Sequence, residues 1–109
     1  MRIGELRHRV TLQRKEITED ALKQQSEVWT DIATVWARIE PLSGREYFAA
    51  RQENADISVK IIIRYLPGIT TDSRAVFDGR VFEALSVVNP EERCESLILM
   101  CREAVSVDS

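Results

Sequence analysis

The sequence predicts a mainly β protein, a small antiparallel β-barrel of about six strands with one inserted α-helix and a long polar loop. Three observations carry that expectation. Short runs rich in β-branched residues alternate apolar and polar positions, the period of a half-buried strand. Turn signals, above all Pro67-Gly68, Asp78-Gly79 and Asn89-Pro90, recur between those runs. One stretch only, after Pro41, switches to helical signals. At 109 residues, 1–109 is expected to form a single domain with a core that needs no metal or disulfide staple.

Arg7 to Arg14 is expected as the first strand, with His8, Val10 and Leu12 on one face and Arg7, Arg9, Thr11 and Gln13 on the other. Thr18 to Glu27 is polar and lacks apolar periodicity, so it reads as the long loop, close to the ~12-residue length beyond which loops are uncommon and often functional. A second strand is expected over Val28–Ile39, bent near Asp31–Thr34. Val35, Ala37 and Ile39 alternate there against Trp36, Arg38 and Glu40. Pro41 cannot donate to a ladder and ends it. Ser43-Gly-Arg-Glu46 is a capping box, in which hydroxyl and carboxylate each accept from the other residue's amide. The helix is expected over Gly44–Asn54, with Tyr47, Phe48, Ala50 and Ala55 available for packing. Strands are then expected over Ser58–Tyr65, Ala75–Phe77, Val81–Val88 and Cys94–Cys101, the last apolar enough to be buried on both faces. Within one strand Cys94 and Cys101 would stand ~23 Å apart on opposite faces, too far for a disulfide. Free thiols fit a reducing cytoplasm.

Charge and motif content narrow the function. The net charge is -3, yet Glu16 to Asp31 concentrates five acids (Glu16, Glu19, Asp20, Glu27, Asp31) against the single base Lys23. The basic N-terminal cluster of Arg2, Arg7, His8, Arg9, Arg14 and Lys15 reads better as alternating solvated strand positions than as a phosphate site. His8, the one histidine, lies between two arginines, without the orienting partner a general base needs. No nucleophile elbow or phosphate-binding glycine loop is present, and neither cysteine has zinc-ligand spacing. An enzyme, a cofactor and a metal are therefore not expected. No apolar run reaches the ~20 residues of a membrane span, and the N-terminus lacks a signal-peptide core.

The residues also support a resemblance. Ile3-Gly-Glu-Leu-Arg-His-Arg-Val-Thr-Leu-Gln-Arg14, followed by Val35-Trp-Ala-Arg-Ile-Glu-Pro-Leu-Ser-Gly-Arg-Glu46, resembles the head closure (head–tail joining) family of tailed bacteriophages. Ile63-Arg-Tyr65, Asp78-Gly-Arg-Val-Phe82 and Leu97-Ile-Leu-Met-Cys101 follow in the order that family shows. The resemblance implies a non-enzymatic protein that forms a dodecameric ring below the portal and its adaptor. Such a ring retains packaged DNA and gives the tail, with its completion protein, a platform. The location implied is the virion head–tail junction, with host cytoplasm during assembly, in a virion or a resident prophage. The chain departs from its relatives in one respect: their loop after the first strand often contains glycine, and Thr18–Glu27 has none.

On this reading Arg7, Arg9, Trp36, Arg38, Arg45 and Arg51 are candidate subunit or adaptor contacts, and Glu16, Glu19, Asp20, Glu27 and Asp31 a candidate channel-facing acidic loop. Arg45 either pairs with a neighbour's carboxylate or only serves its own helix. The acidic segment either repels DNA phosphates or is a solvated outer loop. Two further readings stand beside the first: a small oligonucleotide-binding or SH3-like nucleic-acid barrel, and another phage neck or tail-completion protein.

Overall fold

The computed structural model describes residues 6–53 and 55–104. It contains β1 (His8–Glu19), β2 (Gln25–Pro41), α1 (Gly44–Glu53), β3 (Val59–Arg64), β4 (Ser73–Phe77), β5 (Arg80–Val88) and β6 (Ser96–Ala104). The strands close into an antiparallel barrel in the order β1-β2-β3-β6-β5-β4. The expected six-stranded antiparallel barrel and inserted helix are thus present, with strand bounds shifted by a few residues, while the expected long loop is not. Arg2 of the basic cluster, Ile3 to Glu5 of the N-terminal motif and Asn54, the expected last helical residue, lie outside the described residues.

Alternation places the core. Val10 and Leu12 of β1, Ala37 of β2, Ile61 and Ile63 of β3, Ala75 of β4, Phe82 of β5, and Leu97, Leu99 and Cys101 of β6 are buried together. β6 turns only one face fully inward, because Ile98 and Met100 on the other side are half-buried; burial on both faces does not hold. Its start is also later than expected. Cys94 precedes β6, exposed and at φ 55°, while Cys101 is buried, and both are free thiols. Asp78 and Gly79 both have positive φ, 51° and 77°, as a two-residue hairpin between β4 and β5 requires.

The largest departure from expectation lies at Thr18–Glu27. It is not a loop: β1 and β2 pair continuously from His8↔Ala37 to Glu19↔Gln25, leaving only residues 20–24 as a turn. Asp20 makes that turn without glycine. Its Oδ1 accepts from the amides of Leu22 and Gln24, both at 2.9 Å, and Lys23 takes the left-handed conformation at φ 61°. β4 pairs with β1 only over Thr11–Arg14, and β3 with β2 only over Ala37–Pro41. Beyond those limits β1 and β2 continue as a two-stranded ribbon. Lys15 to Glu19 adds ~17 Å at about 3.4 Å per residue, and the molecule measures 48 × 29 × 28 Å. Both ribbon faces meet water, so the sequence there carries no apolar alternation.

The expected bend in β2 is a bulge. Leu12 faces Ala33 whereas Gln13 faces Asp31, leaving Ile32 as an extra residue. Odd-numbered residues that point inward at Val35 and Ala37 therefore point outward at Asp31 and Trp29.

Candidate interaction surfaces

Three surfaces stand out. The first is the ribbon. Glu16, Glu19, Asp20 and Glu27 are all exposed, and so are Leu22 (79%) and Ile17 (64%). Lys15 approaches Glu27 at 3.9 Å. Asp31, at the base, is committed: its Oδ1 accepts from Gln13 Nε2 at 2.9 Å. Gln13 Oε1 in turn accepts from Arg74 Nε at 2.7 Å. The Arg74 guanidinium lies 4.0 Å from the Trp29 ring centroid. Burial pulls the Arg74 pKa down and the nearby Glu83 carboxylate partly restores it. Glu83 accepts from Arg102, which also reaches Asp56 at 3.2 Å. A polar chain thus crosses the outside of the barrel from β2 to β6 and fixes the ribbon's base to the wall.

The second surface is the outer face of β1-β2-β3. In antiparallel register Arg9 stands opposite Trp36. Arg64 follows Ile63, the partner of Ala37, which brings it level with Trp36. The Arg9 guanidinium lies 5.1 Å from the Trp36 ring centroid, and Trp36 is half exposed. Leu6, Arg9, Val35, Trp36 and Arg64 line a cleft of about 240 Å³. One step along, Arg7 and Arg38 line a second, more polar cleft with His8 and Ile39, and Arg38 Nε meets Glu40 at 2.7 Å. His8 packs edge-on against Phe77 at 4.9 Å, a structural position. Among the described residues, Arg7, Arg9 and Arg64 meet no carboxylate at ion-pair distance. The residue stacked on Trp36 is thus Arg9, from across the strand pair. Nothing local points to Arg64, because only the register of a strand about thirty residues away brings it there.

The third surface is α1. The capping box forms as expected: Ser43 N donates to Glu46 Oε1 at 3.3 Å and Glu46 N to Ser43 Oγ at 3.4 Å. Lys60 Nζ holds Glu46 Oε2 at 2.5 Å and Glu40 Oε1 at 3.3 Å, tethering the helix to β2 and β3. The Lys60 hydrogen bond, with those from Ser43, lowers the Glu46 pKa, and Glu46 raises that of Lys60. Among the described helix side chains Ala50 is the buried one. Tyr47 and Phe48, expected to pack, instead face outward with Phe48 71% exposed, and Ala55 is exposed as well. A cleft of about 280 Å³ separates Ala49 and Ala50 from Ile57, Val88 and Met100, so the helix is tied to the barrel by ions more than by packing. Arg51 lies 4.8 Å from the Tyr47 ring centroid, and Arg45 is exposed. Arg45 does not cap: Ser43 and Glu46 do.

The structure therefore gathers Arg7, Arg9, Trp36 and Arg38 on one wall, sets Arg45 and Arg51 apart on the helix, and spreads the five acids along a ribbon. Among the described residues no group of three or more His, Cys, Asp or Glu could hold a metal, and no helix is long and apolar enough to cross a membrane.

The geometry is that of a closed barrel with a projecting ribbon and two exposed faces that combine aromatic and basic side chains. The chain belongs to the phage head completion protein family, which it matches over residues 1–104, and that family is one of structural phage proteins. It is similar to protein SF1141 from Shigella flexneri 2a, solved in solution, with 32% identity over 98% of this chain and 100% of that one, at a TM-score of 0.80. It shares its fold with a chain of the virion of a native gene transfer agent particle, at 19% identity and a TM-score of 0.61, covering 94% of this chain and 97% of that one. No curated protein matches. The chain thus has the structural role of a phage head completion protein.

Proposed function

We propose that the protein is a head closure subunit that assembles as a ring, dodecameric by its likeness to head closure proteins, below the portal and its adaptor. The ring retains packaged DNA and presents the platform to which the tail and its completion protein attach. The observation that carries this reading is the acidic ribbon projecting from a closed barrel in a head completion family member. Glu16 and Glu27 stand on opposite faces of the ribbon stem, so whichever face lines the DNA path presents an acid that repels phosphates, and DNA passes without sticking. The outer face of β1-β2-β3, with Arg7, Arg9, Trp36 and Arg38, serves contacts between subunits. The helix face, with Arg45, Phe48 and Arg51, serves the adaptor or the tail-completion protein. The protein acts at the virion head–tail junction after assembly in the host cytoplasm.

Gold labelling of the subunit in purified particles tests the location: label at the neck is expected, and label absent from it overturns the reading. Glu16→Gln with Glu27→Gln tests the DNA path. Altered DNA retention or ejection is expected, and unchanged particle yield and DNA release refutes the acidic lining. The nucleic-acid barrel draws on the Arg9–Trp36 pair. It demands a salt-dependent DNA affinity, which filter binding at two salt concentrations measures.

A further inference from the structure

The ribbon tip and the Trp36 cleft are complementary and cannot meet within one molecule. The tip carries the exposed apolar Leu22, with Glu19 and Asp20 before it and Lys23 directly after it, so acids outnumber bases there by two to one. The cleft has an apolar floor of Leu6, Val35 and Trp36 and a rim of Arg9 and Arg64. Arg9 and Asp20 are separated by the length of β1, ~37 Å at 3.4 Å per residue. Each copy therefore offers a tip at one end and a receptor at the other.

We infer that the tip of one copy seats in the Trp36 cleft of the next, with Leu22 against the Trp36 ring and the Glu19 and Asp20 carboxylates facing Arg9 and Arg64. The partner is a second copy of this chain. The contact is head-to-tail, so it propagates around a ring when the rotation between copies closes. Burial of Leu22 removes one of the most exposed apolar side chains from water, and the flanking charges select the register. Asp20 contributes charge while its Oδ1 keeps the turn, so the tip presents Leu22 in one fixed conformation. The ribbon then lies along the ring wall, with its stem acids left for the DNA path. The inference rests on the ring reading only in requiring that copies meet.

The test is intermolecular paramagnetic relaxation at millimolar concentration. A nitroxide is attached at Ala21→Cys in a Cys94→Ser background, Cys101 being buried, and mixed with isotope-labelled, unmodified chain. Broadening is expected at the Trp36 indole and the Arg9 and Arg64 amides, and it fades as salt is added. Glu19→Lys in the spin-labelled copy, or Arg64→Glu in the isotope-labelled copy, abolishes it. Combining those two variants restores it. Absent broadening at Trp36, or broadening indifferent to both charge reversals, overturns the inference. A short DNA duplex that shifts the same resonances, while the spin-labelled copy leaves them sharp, overturns it in favour of a phosphate-binding face. Gold labelling at the neck is independent of this result, so ring and contact can fail separately.

Discussion

Arg74→Ala should release the ribbon from the barrel wall at a cost that can be worked from its contacts. The guanidinium over the Trp29 ring at 4.0 Å contributes about 1 kcal/mol in a partly desolvated setting. The Nε–H donated to Gln13 at 2.7 Å adds about 1.5 kcal/mol, in the range for a charged donor. Desolvation of the charge, which lowers the Arg74 pKa, offsets part of both. A net destabilisation of about 1–2 kcal/mol follows. With a urea m-value of roughly 1–2 kcal/mol/M for a domain of this size, the midpoint should fall by about 1 M. Far-UV circular dichroism is the suitable readout, because Trp29 is itself a fluorophore to be varied. In a double-mutant cycle with Trp29→Ala the coupling should be about 1 kcal/mol, and Arg74→Lys should lose most of it, since ammonium lacks the planar stack. A coupling within about 0.3 kcal/mol of zero, with amide exchange at residues 25–30 unchanged, would refute the assigned role of Arg74 as the ribbon's anchor.

Other perturbations have equally direct readings. Phe82→Ala empties a fully buried core position and should cost about 3–5 kcal/mol in urea or thermal unfolding, while Phe82→Leu should cost clearly less. The tether of α1 should fail at both pH extremes. Glu46 has a lowered pKa, so its contribution is complete above the unfolded carboxylate range and is lost as pH falls through the folded value; Lys60 has a raised pKa, so its contribution is complete below 10.5 and is lost as pH rises through the folded value. Helix amide shifts followed against pH should show both transitions, and Glu46→Gln should remove the acid one. Burial pushes the Cys101 thiol up to about 12, so a thiol reagent at mildly alkaline pH should modify exposed Cys94 alone in native protein and both cysteines in denaturant.

Where one face of a strand meets the core, the pattern was legible. Val10 and Leu12, Val35 and Ala37, Ile61 and Ile63, and Leu97 and Leu99 all alternate and all turn inward. The capping box and the Asp78-Gly79 hairpin were legible because their chemistry is local. The ribbon was not, because with water on both sides nothing demands alternation, and Asp20 closes a turn that usually displays glycine. Trp29 could not be oriented either, since the extra residue Ile32 reverses the inward parity of β2. The Trp36 cleft needs Arg64, supplied by pairing across α1, and such register is not a local property. Tyr47 and Phe48 carry an apolar signal that predicts burial, and only the barrel's contour shows that they point away from it.

The seam between β1 and β4 has a consequence for how the chain reaches its native state. It joins Thr11–Arg14 to Ser73–Val76, the longest-range pairing in the sheet, with only four residues on each side. The hairpins β1–β2, β4–β5 and β5–β6 can each form from neighbouring chain, whereas this pairing must wait for a large loop to close. Zipping of that seam is accordingly the slow, late step that turns an open sheet into a cylinder. Its reversal breaks four residue pairs and no hairpin, and it is the breach expected when the protein is stretched, heated or pulled apart by its partners.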